Sequence, residues 1–469
     1  MKICAGTILA VASCLGVSCQ MELPRRERVA PDFPAQWRAT EVASRAPLEE
    51  WWRQFGDDDL NAMVKEALER NHDLQATGQR LEQARLRARI AGAERLPVVN
   101  ANLEGGRKQS NFIGLPLPGA GGVLSSRSES YRFSLATSWE LDLWGRIRAG
   151  QIAALADVEV ARADVAAARI SMAGQVVKAW FLSVEAGQQV EFARRNGKIL
   201  EAAVNQARLR YELGVRPMLD LRQAEASFAA NKAVIAQWME VVEQGRRQLE
   251  ILIGRYPEGQ LGPFAVMPEA LGPIPVGLPS DLLTRRPDLR AARLRVLAAD
   301  ARIGSAKGEL YPKISLTTSG GTSSDELENL MNNNFLVWSL GSNLVQPLFS
   351  GGRLRANVQL EEARAAEAVL KYRSIVLRAF GEVETALALE PMLRERELRL
   401  RQVMGRSGEA LALAEQRYAQ GIEDFVTVLD ARRRLNESSS QRLTVLRSML
   451  ENRVNLHMAL GGGFPGRRD

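Results

Sequence analysis

Cysteine is missing from almost all of this 469-residue chain: the three present, Cys4, Cys14 and Cys19, fall within the first 19 positions. Disulfides and thiolate metal sites are therefore excluded from the body of the protein. Histidine is nearly absent too. His72 and His457 are the only two, and each reads as a helix-surface or packing residue, so a zinc site or a Cys/His nucleophile has nothing to be built from. Beyond the first 19 residues no run approaches 18 consecutive apolar residues, which excludes a transmembrane helix. Basic residues outnumber acidic ones by 62 to 55, a net charge of +7. No Lys/Arg block concentrates that excess, and a nucleic-acid footprint requires one. No phosphate loop, nucleophile–base pair or metal cluster is legible, and Asp57–Asp59 read as loop acids. Neither catalysis nor a cofactor nor a metal is expected.

What is present begins with an export signal at 1–18. Lys2 precedes the short apolar run Ile3–Leu15, and Leu15-Gly16-Val17-Ser18-Cys19 follows. This resembles a bacterial lipoprotein signal with Cys19 as the lipidated residue. Val11-Ala12-Ser13-Cys14 fits the local pattern better but leaves a very short apolar region, and an ordinary cleaved signal is the third reading. Residues 19–59 form an N-terminal arm, of which 20–50 are polar and proline-bearing and read as extended.

The remainder is written twice. The first repeat, 60–254, opens with a helical stretch, Leu60–Leu96, stopped by Pro97. A strand over Val98–Gly106 and a Gly/Pro/Ser-rich loop over Lys108–Glu129 follow, the two strands falling within 97–142. In the second strand Tyr131, Phe133, Leu135, Trp139 and Leu141 alternate with polar residues, the period of a half-buried strand. From Gly145 to Glu212 there is no proline, and the residues are strong helix formers. Such a helix is about 100 Å long and has to lie against others. The Ala-rich face of Ala153, Ala156, Ala163 and Ala167 permits coiled-coil-like approach. Tyr211–Pro217 makes a turn, and a return helix ends at Gly254, giving a helical hairpin over 145–254. A proline-rich connector spans 255–280. The second repeat, 281–461, holds a helix over Leu282–Leu310, two strands within 312–348 around a polar loop at Thr322–Asn334, and a hairpin over 351–461. Residues 462–469 are a tail. At an offset of 207, Gly145, Arg146, Arg210, Tyr211, Gly214 and Gly254 meet Gly352, Arg353, Arg417, Tyr418, Gly421 and Gly461; upstream the offset is 215, where Asp73, Leu74, Arg87 and Pro97 meet Asp288, Leu289, Arg302 and Pro312. Pro391 has no counterpart at Val184, and a bend is predicted there.

Strands of this length and alternation suit a membrane β-barrel. Four cannot close around a pore, and an open edge cannot sit in lipid, so copies have to combine. Trp139 and Trp144 fall where interfacial aromatics belong, although ordinary packing explains them equally.

Ser138-Trp139-Glu140-Leu141-Asp142-Leu143-Trp144-Gly145-Arg146 resembles the second-strand signature of TolC-type outer-membrane factors, and most closely the lipoprotein branch serving multidrug efflux. Trp52–Leu60, Leu219–Glu225, Leu283–Leu289 and Gln346–Arg353 agree with it, in order, and the likeness covers the chain after the signal. The resemblance implies a mainly α fold with a membrane β portion. A homotrimer would form a 12-stranded outer-membrane barrel continued by a long α-helical periplasmic tunnel, with the connector and chain ends as a belt. It implies a passive exit duct of a tripartite efflux pump, anchored to outer-membrane lipid through palmitate on Cys19. The partners would be a periplasmic adaptor (membrane fusion) protein and an inner-membrane pump, with no nucleic acid. Docking would use the tips at Tyr211, Gly214, Val215, Tyr418, Gly421 and Ile422. The family's Leu-x-x-x-Asp-x-x-Arg constriction corresponds to Val426, Asp430 and Arg433, with Val in place of Leu, and Asp220 is a weaker second-ring candidate. Three Asp430 side chains would make a carboxylate ring; an exposed helical ion pair is the plainer reading. Two other readings stay open: a duct for protein or peptide secretion, and a periplasmic coiled-coil scaffold without a pore.

Overall fold

The computed structural model describes residues 37, 50–112, 124–262, 267–268 and 279–462. The three cysteines, the export signal and most of the N-terminal arm and connector lie outside them. The elements are α1 (Asp58–Arg70), α2 (His72–Ala93), β1 (Val98–Phe112), β2 (Leu124–Leu141), α3 (Arg146–Glu212), α4 (Met218–Leu252), α5 (Pro279–Arg285), α6 (Pro287–Gly308), β3 (Lys313–Ser324), β4 (Leu336–Val345), α7 (Arg353–Ala419) and α8 (Phe425–Ala459). Residues group into two compact units.

The first unit contains Glu82–Glu159 and Arg293–Lys371. Its centre is one antiparallel sheet in the order β1-β2-β3-β4. The duplication is visible in the hydrogen-bond register. Val98 pairs with Ser138 in the first hairpin and Lys313 with Val345 in the second, which are the same pair once each strand is moved by its own offset. One face carries Leu103, Phe133, Leu135, Leu316, Trp338, Leu340 and Leu344, and Trp338 and Leu340 are 77% and 75% exposed. Both hairpin strands outrun expectation. β1 continues to Phe112 and β2 starts at Leu124, so much of the segment read as the Lys108–Glu129 loop is ladder, held by cross-strand Arg107–Glu129 (3.0 Å) and Arg127–Gln109 (3.0 Å) contacts. β3 likewise extends to Ser324, into the expected loop, whereas β4 stops at Val345. Polar alternation looks like loop to a hydropathy reading, although hydrogen bonding is indifferent to it.

The nine-residue signature at Ser138–Arg146 is a strand-to-helix corner. Gly145 supplies the left-handed φ of +73°. The Asp142 carboxylate accepts from the N–H groups of Ile147 (3.1 Å) and Arg148 (2.7 Å), capping α3, and Arg146 pairs with Glu140 at 3.0 Å. The Trp144 indole stacks on Tyr311 and donates to the Pro312 carbonyl at 2.8 Å, while Trp139 donates to the Arg95 carbonyl at 2.9 Å. Both tryptophans therefore have a packing role.

The second unit contains Arg28–Leu81, Val160–Ala292 and Tyr372–Asp469. Its main core joins Trp51, Trp52, Phe55, Leu60 and Val64 to Val176, Val177, Trp180 and Phe181 of α3, Leu249 and Leu252 of α4, and Leu446, Leu450 and Val454 of α8. Two expectations are corrected here, and the end of the N-terminal arm gains a buried 3₁₀ turn, Trp51–Phe55. Asp57–Asp59 are not loop acids: Asp57 caps α1 through Leu60 N–H (3.0 Å) and accepts from Trp180 Nε1 (2.8 Å), and Asp58 and Asp59 form the first helical turn. The helical stretches at 60–96 and 282–310 are each broken in two, at Asn71 and Arg286. These positions are equivalent under the 215 offset. Asn71 donates to the Leu252 carbonyl (2.9 Å) and Arg286 to the Ala459 carbonyl (3.1 Å), themselves equivalent under the 207 offset. Each break thus supplies a buried donor to the C-terminal turn of the hairpin in its own repeat. Helical periodicity carries no trace of that long-range bond.

Helix α7 continues unbroken through Pro391. One turn earlier, buried Asn452 of α8 donates to the Ala386 carbonyl at 2.9 Å; at the equivalent carbonyl in the first repeat, Ala179, the donor is Ser183 on the same helix, at 2.9 Å.

Candidate constriction and docking tips

The two inter-helix turns are built by one backbone device used twice. Gly214 N–H donates to the Tyr211 carbonyl (2.9 Å) and Val215 N–H to that of Arg210 (2.9 Å); Gly421 donates to Tyr418 (3.0 Å) and Ile422 to Arg417 (3.0 Å). This is the Schellman pattern. It places Gly214 (φ +68°) and Gly421 (φ +76°) in the left-handed region. Pro217 and Asp424 stand just before the return helices.

The tips differ in their side chains. Tyr211, Val215 and Ile422 are exposed, whereas Tyr418 is buried. The Tyr418 ring lies 5.3 Å from Phe425, and the guanidinium groups of Arg210 and Arg216 sit 5.0 and 5.1 Å from its centroid. Tyr418 thereby joins the first turn to the second, within a small core of Val204, Leu221, Leu411, Phe425 and Val428.

Val426, Asp430 and Arg433 lie along one face of α8, and all three are exposed. Asp430 and Arg433 form an ion pair at 3.2 Å. Asp220 is apart from them in character. It is buried in the first turn of α4, and under the repeat offset it corresponds to Thr427, while Asp430 corresponds to Gln223. The ion pair borders an open groove of about 760 Å³ between α3, α4 and α8, where Phe192, Trp238, Leu429 and Glu437 also contribute. Its floor is fixed by Asn231, which donates to the Ala193 carbonyl (3.0 Å) and accepts from Asn196 (2.8 Å). The sequence reading passed over these residues; they become neighbours of Asp430 only once three helices are in register. Among the described residues no group of three or more His, Cys, Asp and Glu is placed to hold a metal ion, and no helix is long and apolar enough to cross a membrane.

Deeper in the same unit, Glu185 of α3 is buried and held by Arg447 and by Thr444 Oγ1 (2.6 Å) of α8. Glu397 of α7 sits between Arg442 (2.9 Å) and Arg401 (3.0 Å). Burial acts to raise the Glu397 pKa, and the two guanidinium partners outweigh it, leaving the carboxyl below its ordinary range.

A sheet with one exposed apolar face, joined by capped corners to long helical hairpins in two copies of one plan, is the framework of a channel-type outer-membrane protein. The family described as outer membrane efflux protein matches residues 63–255 and 278–462, and the chain belongs to that family. It is 34% identical over 469 residues to outer membrane protein OprJ of Pseudomonas aeruginosa, covering 97% of this chain and 95% of that one. It is 32% identical over 459 residues to the pyoverdine export outer membrane protein OpmQ of Pseudomonas putida, covering 96% and 95%. The open-state structure of the MtrE outer membrane channel of Neisseria gonorrhoeae matches with a TM-score of 0.84 at 31% identity, over 94% of this chain and 98% of that one. The protein is an outer-membrane component of efflux machinery with the fold of this channel family.

Proposed function

We propose that three copies of the chain assemble into a passive exit duct, each giving four strands to a 12-stranded barrel and four long helices to a periplasmic tunnel. The observation that carries this reading is the sheet itself: its apolar face is exposed, and among the described residues β1 and β4 present edges with no partner strand, an arrangement untenable in lipid unless further strands close it. Palmitate on Cys19 anchors the mature chain to outer-membrane lipid. The exposed tip residues Val215 and Ile422, with Tyr211 and the turn glycines, meet a periplasmic adaptor coupled to an inner-membrane pump. Tyr418 serves this docking indirectly, by fixing the two turns together. Val426, Asp430 and Arg433 form the periplasmic constriction. The exposed Asp430–Arg433 pair supports this: it stands beside an amphiphilic groove, where a charged ring is cheap to keep solvated. Asp220 is the weaker member because it is buried. The relatives' names span toluene, solvent, antibiotic and pyoverdine efflux. That spread fits a duct whose cargo is chosen upstream, and it favours efflux over protein secretion.

The test is planar-bilayer conductance of the purified protein together with its mass in detergent. A trimer with small conductance that rises in the Asp430→Ala/Arg433→Ala variant is expected. A trimer whose conductance is unmoved by that variant removes the constriction; a monomer without conductance removes the duct.

A further inference from the structure

The groove beside Asp430 has two ends of different chemistry. Its tip end holds charges of both signs, already matched: Asp430 pairs with Arg433 at 3.2 Å, and Arg432 pairs with Glu415 of α7. The other end lies further from the tips. There Gln189 Nε2 of α3 donates to the Ser440 carbonyl of α8 at 3.0 Å, which sets those two residues at one height. Asn196 of α3 donates to Asn231 of α4 at 2.8 Å. These two helices run in opposite directions, so Trp238, two turns beyond Asn231, comes level with Gln189. Phe192 and Glu437 each stand one turn from that level, toward the tips. Phe192, Trp238 and Glu437 therefore share one stretch of wall, each from a different helix.

Glu437 is the exception among the charged side chains that line the groove. Asp430, Arg432 and Arg433 each have an ion-pair partner, whereas the Glu437 carboxylate has none among the described residues. Arg433 is one turn away but is engaged by Asp430. Nor do the three wall residues belong to the duplicated plan. At the offset of 207, Phe192 meets Arg399, Trp238 meets Val445, and Glu437 meets Ala230. Val445 is fully buried, whereas Trp238 is only half-buried and lines the groove. An aromatic ring left at a groove wall, where its counterpart is packed in a core, is not explained by the shared frame.

We infer that this end of the groove binds an amphiphilic organic cation, its charge against the Glu437 carboxylate and its apolar body between Phe192 and Trp238. Aromatic faces attract cations, and a groove of about 760 Å³ has the size of a small-molecule site. An anion meets an unmatched carboxylate there, and a neutral molecule desolvates that carboxylate without pairing it. The groove is built by a single chain; only its place inside a tunnel rests on the duct reading above. In that tunnel the bound cation sits about 10 Å along α8 from Asp430, so cargo of this class dwells beside the constriction.

The experiment titrates ethidium, a planar aromatic cation whose fluorescence rises in apolar surroundings, against the full-length protein in detergent. Protein-free micelles are subtracted, and the mass in detergent is measured on the same sample. Saturable binding is expected. Glu437→Gln and Trp238→Leu should each weaken it about two- to fivefold, the scale of an exposed ion pair and of a cation–π contact. Glu409→Gln, at an exposed carboxylate of α7, should leave it unchanged. Binding of the anionic dye anilinonaphthalene sulfonate should not weaken in Glu437→Gln. A trimer without saturable ethidium binding overturns the site. So does one whose binding is unmoved by Glu437→Gln, or falls equally in Glu409→Gln. A monomer that binds ethidium with the expected variant effects overturns the trimeric duct and leaves the site standing; a monomer without binding overturns both.

Discussion

Replacing His457 by Phe should remove a pH dependence that this single side chain imposes on the helical unit. His457 is 1% exposed, stacks parallel to Trp51 at 5.2 Å, and accepts at Nε2 from the Gln54 amide at 2.6 Å. Burial, with a smaller contribution from the nearby Arg453 charge, pushes its pKa down to about 3. An unfolded histidine takes up a proton below about pH 6.5. The unfolded state therefore binds the extra proton first, and stability falls as pH drops below about 6.5, with the loss continuing until about pH 3. At about 1.4 kcal/mol per pH unit, the step from pH 8 to pH 5 costs roughly 2 kcal/mol per chain. Phe keeps a ring against Trp51, cannot be charged, and forfeits the Gln54 hydrogen bond at every pH, about 1 kcal/mol. Thermal unfolding in detergent, followed by helical ellipticity from pH 8 to pH 5, gives the comparison. Carboxylates such as Glu397 titrate in both proteins and cancel in the difference. The variant should start less stable and lose about 2 kcal/mol less. Parallel curves for the two proteins would refute the argument.

Gly254→Ala and Gly421→Ala should separate crowding from backbone strain. Both glycines have φ +76°, but an added Cβ at 254 would lie 2.7 Å from the Arg70 carbonyl oxygen, whereas at 421 nothing stands within 4 Å. Thermal unfolding should show about 1 kcal/mol lost at 421 and clearly more at 254. Cys19→Ala should abolish metabolic labelling by palmitate; labelling that persists there and disappears in Cys14→Ala would move the anchor. Val215→Asp with Ile422→Asp should abolish efflux in cells while leaving the detergent mass and conductance intact; retained efflux would exclude these tips from docking.

The duplication, the four strands, the two hairpins and their turn glycines were all legible in the sequence. They rest on local chemistry: a two-residue alternation, proline stops, and glycines where φ has to be positive. The break at Asn71 was hidden, because its side chain bonds to a carbonyl more than 170 residues away, whereas the break at Arg286 was written locally in Pro287, a helix stop that the sequence reading passed over. The buried turn at Trp51–Phe55 was hidden for a similar reason: WWRQF has no period of its own, and its burial depends on α3, α4 and α8 arriving around it. At the candidate site the motif spacing picked out Val426, Asp430 and Arg433, but not that Tyr418 is buried while its equivalent Tyr211 is exposed. That asymmetry follows from cations of one turn reaching the ring of the other.

Strand order also sets a sequence in time. The β1–β2 hairpin pairs residues as near in sequence as Phe112 and Leu124, and β3–β4 is similarly local. The nearest β2–β3 pair, Leu141 with Ile314, brackets the whole first helical hairpin, and contacts so far apart in sequence are slow to form because the chain between them must first be ordered. Two hairpins therefore wait on α3 and α4 before they can become one sheet. During that wait each exposes edges shaped to accept a strand, so newly exported chains are most exposed to mispairing before their helices have closed.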